Sequence, residues 1–160
     1  LDKTKKRKFL KELDYFGELK TNLMFLRTGK ERINVFSGDL DSENLMELWR
    51  LFPVEGVGTY FGKESIDRHG RKEARISLDM LHFFKDQIKK SIIELTDEQA
   101  ASWFRGNDLE LSEEEVEKLG FVNNSFVALR FGGDFVGVGK LAKGVISSFL
   151  PKERRIKENS

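Results

Sequence analysis

The chain has no cysteine among its 160 residues. That absence excludes disulfides, thiolate zinc sites and a cysteine nucleophile. Histidine is almost as scarce. His69 and His82 are too few and too far apart for a metal cluster, and read as one loop and one helix residue. No apolar run approaches the ~20 residues that span a bilayer, and the residues given carry no signal-peptide pattern. A cytoplasmic protein without membrane contact is the expectation. A cofactor loop is also missing. Gly56 to Gly62 (GVGTYFG) has GxGxxxG spacing rather than the dinucleotide spacing, and no suitable helix start follows it.

What is present reads as a globular protein: 39 % hydrophobic, 34 % charged, with 14 Phe. One core of this length would bury roughly 70 % of the unfolded surface, whereas two halves of about 80 residues would each be marginal alone. Two modules, if formed, are therefore expected to pack tightly. The formal net charge of +1 hides an uneven distribution. Residues 1–11 balance to +5, residues 94–119 to −7 and residues 140–157 to +5. Separated patches of one sign are what a phosphate-binding face looks like, and near-neutral net charge does not exclude one.

Along the chain, Phe9, Leu10, Leu13 and Phe16 recur at helical spacing, which predicts a basic amphipathic helix over 3–16 stopped by Gly17. Leu23 to Arg27 and Ile33 to Phe36 read as strands joined by a Thr28-Gly29-Lys30 turn. Asp41 or Ser42 caps a helix with Leu45, Leu48, Trp49 and Phe52 on one face, ended by Pro53. The GVGTYFG run is expected to be a strand with flanking turns, and the charged Lys63 to Arg75 a loop between strands. Ser77 caps a helix with Leu78, Leu81, Phe84 and Ile88 as its stripe. Ser91 to Leu95 is β-rich. Thr96 opens a short helix with Gln99 placed for a capping box, Ala100, Trp103 and Phe104 inward, and Gly106 at its end.

The rest is β in character. Phe126 to Phe131 and Phe135 to Val138 flank the Gly132-Gly133-Asp134 turn, and Lys143-Gly144 marks a second turn before Val145 to Leu150. Short strands with glycine turns suggest a small barrel. The aromatic residues Trp49, Phe52, Phe83, Phe84, Trp103, Phe104, Phe126 and Phe149 fall at core periodicity and are assigned to packing. The composition changes near residues 88–92, giving 1–88 and 89–160 as the expected domains.

These residues carry a resemblance. Leu95 to Ala100 and Trp103 to Leu109 resemble the opening of a PUA domain, and Gly132 to Lys140 its central hairpin. Phe149 to Arg155 resembles the end of the PUA-like module of Sun/RsmF-type RNA 5-methylcytosine methyltransferases. That module ends in a G-x-G-K strand and, about ten residues on, an L-P-K-x-x-R stretch; both are here, at Gly137–Lys140 and in the run that begins Leu150-Pro151-Lys152. Leu13 to Gly17, Phe25 to Arg27 and Ile33 to Ser37 are more weakly similar to the domain preceding PUA in ribosome-biogenesis factors. The resemblance implies an α+β protein: an N-terminal α/β pre-PUA-like domain packed on a C-terminal PUA-like β-barrel. Ser147-Ser148 stands where the methyltransferase modules usually have Lys-Asn, which removes one phosphate contact. The methyltransferase domain is absent from these residues, and its chemistry needs a cysteine.

The function so implied is non-catalytic binding of structured rRNA or tRNA, in ribosome biogenesis or RNA modification. Proteins of those processes are further candidate partners. No cofactor or metal is expected, and the chain is expected not to be an enzyme. Lys and Arg gain affinity from phosphates by releasing counterions. The candidate RNA-binding residues are Arg105, Arg130, Lys140, Lys143, Lys152, Arg154 and Arg155. Lys140 lies beside Gly133, Gly137 and Gly139, whose missing side chains would let an RNA backbone approach, and Pro151 fixes the direction of the basic tail. In the fold it resembles that tail lies beside the hairpin, so Lys140 and Lys152, Arg154 and Arg155 are expected to face one groove. The carboxylates Glu113, Glu114, Glu115 and Glu117 point several ways from one helical turn and read as a solvated face. The alternative is a protein-interaction module that meets an RNA-modifying enzyme through the acidic 94–119 segment.

Overall fold

The structure is a computed structural model that describes residues 1–51, 58–120 and 124–157. It is α+β, built on two sheets. Helix α1 (Lys3–Lys11) is capped by Asp2, whose side chain accepts from the Lys5 backbone N–H. A single 3-10 turn, Asp14–Phe16, follows it and ends at Gly17. The expected 3–16 helix is therefore broken at residues 12–13. Strands β1 (Met24–Thr28), β2 (Arg32–Phe36), β3 (Thr59–Ile66) and β4 (Lys72–Ile76) form an antiparallel sheet in that order.

Two expectations in this half need correction. Lys63 to Arg75 is mostly strand, because one face of a solvent-facing hairpin can carry charge throughout. Only the turn is a loop. There the Asp67 carboxylate accepts from the Arg71 and His69 backbone N–H groups and from Arg71 Nε. The first of those bonds is the main reason its pKa falls to about 2. Helix α2 (Ser42–Leu51) buries Leu45 but leaves Leu48 40 % exposed, because Leu45 alone reaches inward among its described side chains. Phe52, Pro53 and the side chain of Trp49 lie outside the described residues.

Helix α3 (Leu78–Phe83) starts at Ser77, whose hydroxyl accepts from Met80 N–H. It lies against the second sheet, touching the strand β8 (Asp134–Ala142). The remaining elements are β5 (Ile92–Glu94), α4 (Asp97–Phe104), β6 (Leu109–Glu110), α5 (Glu113–Leu119), β7 (Ser125–Phe131) and β9 (Val145–Ser148). The five strands form a curled half-barrel sheet in the order β5-β7-β8-β9-β6, with β5 parallel to β7 and the other pairs antiparallel. The β7–β8 turn uses Gly132 and Gly133, both at positive φ, as a tight hairpin requires. Thr96 and Ser112 both make full capping boxes, with Gln99 and Glu115.

The packing explains why the halves sit together. Strand β7 is buried on both faces, as its unbroken Phe126-Val127-Ala128-Leu129 run suggests. Val127 and Leu129 join Trp103, Leu141, Ile146 and Leu150 in the core of the curled sheet. Phe126 and Ala128 turn the other way, into a cluster with Phe9, Phe16, Phe25, Phe61 and Phe84. One core thus crosses from the first sheet to the second. Polar bonds fix the crossing: Tyr15 donates to the Ala74 carbonyl at 2.5 Å, and Ser91 Oγ donates to the Tyr15 carbonyl. Burial pushes the Tyr15 phenol up, so it donates throughout the accessible pH range.

Candidate functional site

The seven candidate cations separate into groups. Arg130, near the end of β7, is ion-paired with Glu94 on the parallel neighbour β5. Lys140 bonds Glu73 of β4 at 2.6 Å, both side chains about a quarter exposed, and sits over the Phe126 ring. Arg154 bonds Asp79 of α3 at 3.0 Å. In each case a carboxylate of the chain already neutralises the charge, and Lys140 and Arg154 do so across the joint between the two sheets. Lys143 occupies the β8–β9 turn at φ 52°.

Gly137 and Gly139 also differ from expectation. A Cβ on Gly137 would meet Trp103 Cζ2 at 2.5 Å, and one on Gly139 would run into Ile146. Their missing side chains face inward and admit the indole, whose Nε1 donates to the Val136 carbonyl at 3.1 Å. The space a Cβ would take is filled by Trp103 and Ile146. Gly133 alone of the three is open to solvent.

The other candidates do converge. Arg105, Lys152 and Arg155, with Asn107, Ile156 and Lys157, line an open cleft of about 580 Å³. Among the described residues, four cations and no carboxylate line it. Its construction starts at Gly106, which ends α4 at φ +86°; a Cβ there would strike the Arg155 side chain. Arg155 thus lies across the glycine, and its Nε donates to the Leu150 carbonyl at 3.1 Å. Ile156 N–H donates to the Phe104 carbonyl at 2.7 Å. The chain from Pro151 makes a 3-10 turn, Lys152–Arg154, and is then tied back against the end of α4. The cleft therefore presents fixed rather than trailing charge. Asn107 and Lys157 were not among the expected site residues. Their signal was positional, one beside Gly106 and one two residues past Arg155.

The aromatic residues divide similarly. Phe84, Trp103 and Phe126 are buried as expected and Phe104 is partly buried, but Phe83 and Phe149 are 59 % and 40 % exposed. Among the described residues there is no cluster of His, Cys, Asp and Glu that could hold a metal, and no helix long and apolar enough to cross a membrane.

The curled sheet with its leading helix and closing basic turn defines a PUA-like module. Residues 90–156 match the family model described as the methyltransferase RsmF PUA domain. The family resemblance seen in residues 94–155 is borne out with nearly the same bounds, and the similarity to the pre-PUA domain lies outside the match. No curated protein matches the chain.

Proposed function

We propose that the protein binds structured RNA, rRNA or tRNA, through its PUA-like half and carries out no reaction on it, acting in ribosome biogenesis or RNA modification. The observation that carries this reading is the cleft where Lys152, Arg155 and Lys157 meet Arg105 beside Gly106, with no carboxylate among the described residues of its lining. Arg offers a planar fork that fits phosphate oxygens, and Lys a mobile point charge. Duplex RNA is then gripped by shape and backbone, with sequence read only from unpaired bases. Binding of the full chain to a structured RNA, followed over a range of salt concentrations, tests the reading. A steep fall of affinity with salt is expected; a flat response is incompatible with it.

A second reading is contact with a protein through the acidic segment. It is favoured by α5, which has no buried residue and an acidic first turn of Glu113, Glu114 and Glu115. Elsewhere the segment is partly used internally: Glu94 holds Arg130, and Asp108 accepts from Ser148 N–H. Pull-downs before and after nuclease treatment separate the readings, since a protein partner is retained after the RNA is gone.

A further inference from the structure

We propose that an unpaired stretch of the bound RNA continues from the basic cleft across the joint between the sheets, its bases stacking at two arginine–aromatic pairs. This rests on the RNA-binding reading above and adds a second, single-strand-selective site to it. The joint holds a cleft of about 350 Å³, within the range of small-ligand pockets. Tyr60, Arg75, Phe149, Pro151 and Arg154 are among its walls. The same short turn serves both clefts, Lys152 and Arg155 lining the first, Pro151 and Arg154 the second. Tyr60 is a shared wall once more, because it also lines a shallow hollow with Lys30, Arg32 and Lys63 on the β1–β2 and β3 side. A continuous course therefore leads from Arg155 past Phe149 and Tyr60 to Arg32.

Two features give that course a chemistry. Arg75 Cζ lies 4.2 Å from the centre of the Phe149 ring, and Arg32 Cζ lies 4.6 Å from that of Tyr60. Neither arginine is engaged by a carboxylate among the described residues, unlike Arg154 and Lys140. Phe149, moreover, leaves 40 % of its surface in water although Phe126 lies beside it, 6.0 Å away between ring centres. Guanidinium planes and aromatic faces are the surfaces on which unpaired bases stack, irrespective of base identity. Among the described residues the two hollows together present five cations against three carboxylates, so a phosphate backbone is drawn along them. A folded duplex cannot offer free base faces, so the course selects for single-strandedness rather than sequence.

The test compares one RNA stem-loop with and without an extension of about eight unpaired uridines, a length suited to such a groove. Binding to the full chain is read by fluorescence anisotropy, with the extension tried at each end. In the unaltered protein the extension at one end is expected to tighten binding about fivefold or more, as stacking of one base suffices to do. Arg32→Ala with Tyr60→Ala removes that gain and leaves stem-loop binding within about twofold, since neither residue lines the basic cleft. Phe149→Leu, which keeps apolar bulk against Phe126, also reduces the gain, and a fluorescent adenine analogue in the extension loses its quenching. If the stem-loop binds but the extension adds nothing, or if the double variant keeps the gain, the second site is overturned. If no RNA binds at all, the RNA-binding reading itself falls.

Discussion

Apart from Lys143 in the β8–β9 turn, the cations of the C-terminal stretch divide between two regions, the joint with the first sheet and the cleft beside Gly106. Arg154 and Arg155 are adjacent in sequence and belong to different regions. Arg154 reaches Asp79 of α3, and Lys140 reaches Glu73 of β4, so each is paired with a carboxylate from the first half of the chain. Arg155 folds over Gly106 and donates through Nε to a backbone carbonyl, and no carboxylate among the described residues lines the cleft it shares with Lys152 and Lys157. A count of basic residues treats the two alike. The difference lies in whether a carboxylate from the other half is within reach, and that decides between a structural and a binding role.

The comparison can be broken at the joint first. Phe126 touches Tyr15, Phe149 and Lys140, and its removal empties the core that both sheets share. Phe126→Ala is expected to cost about 3–5 kcal/mol. Calorimetry should show both halves melting in one transition in the parent protein; two separate transitions would mean that the joint is not a common core. Gly137→Val is next, at about 1–3 kcal/mol from overpacking against Trp103. The folded fraction should bind a plain RNA stem-loop as before, since Gly137 does not line the basic cleft, whereas a selective loss of that binding would restore the glycine as a contact point.

Lys152→Glu with Arg155→Glu works at the cleft. Affinity for structured RNA is expected to fall at least tenfold, about 1.4 kcal/mol, with little change in Tm. A loss below twofold, measured on protein of unchanged Tm, removes the cleft as the site. The smallest effect belongs to Lys140→Met, where a partly buried ion pair is lost for about 1 kcal/mol or less of stability. RNA affinity should stay within about twofold there, because a paired lysine has no phosphate to lose.

Local chemistry was legible in the sequence. The caps at Ser77 and Thr96, the β1–β2 hairpin and the Gly132-Gly133 turn each depend on residues close in the chain. The motif order carried the PUA-like resemblance but pointed to one groove for Lys140 and the Lys152–Arg155 stretch; instead Lys140 pairs with Glu73, and Arg105 is the residue that meets Lys152 and Arg155. Long-range pairing was not. Glu73 and Lys140 stand 67 residues apart, Asp79 and Arg154 75, and no spacing rule connects them. Gly137 and Gly139 were misread for a related reason: strand alternation does not say which face meets Trp103. The Lys63–Arg75 hairpin was hidden by its own charge, since one face needs no apolar residues. Phe149 followed core periodicity yet surfaced at the joint, where an arginine rather than a core covers it.

The most direct test of the central claim is the slope of log affinity against log salt for one structured RNA. The full chain and its Lys152→Ala, Arg155→Ala variant should be measured side by side, with Lys140→Met as the paired-cation control. Each phosphate contact contributes about 0.7–0.9 to the slope, so the cleft variant is expected to be shallower by about 1.4–1.8 and the control unchanged. Equal slopes in all three proteins, or a loss of slope in the control alone, would contradict the division of the basic residues between joint and cleft.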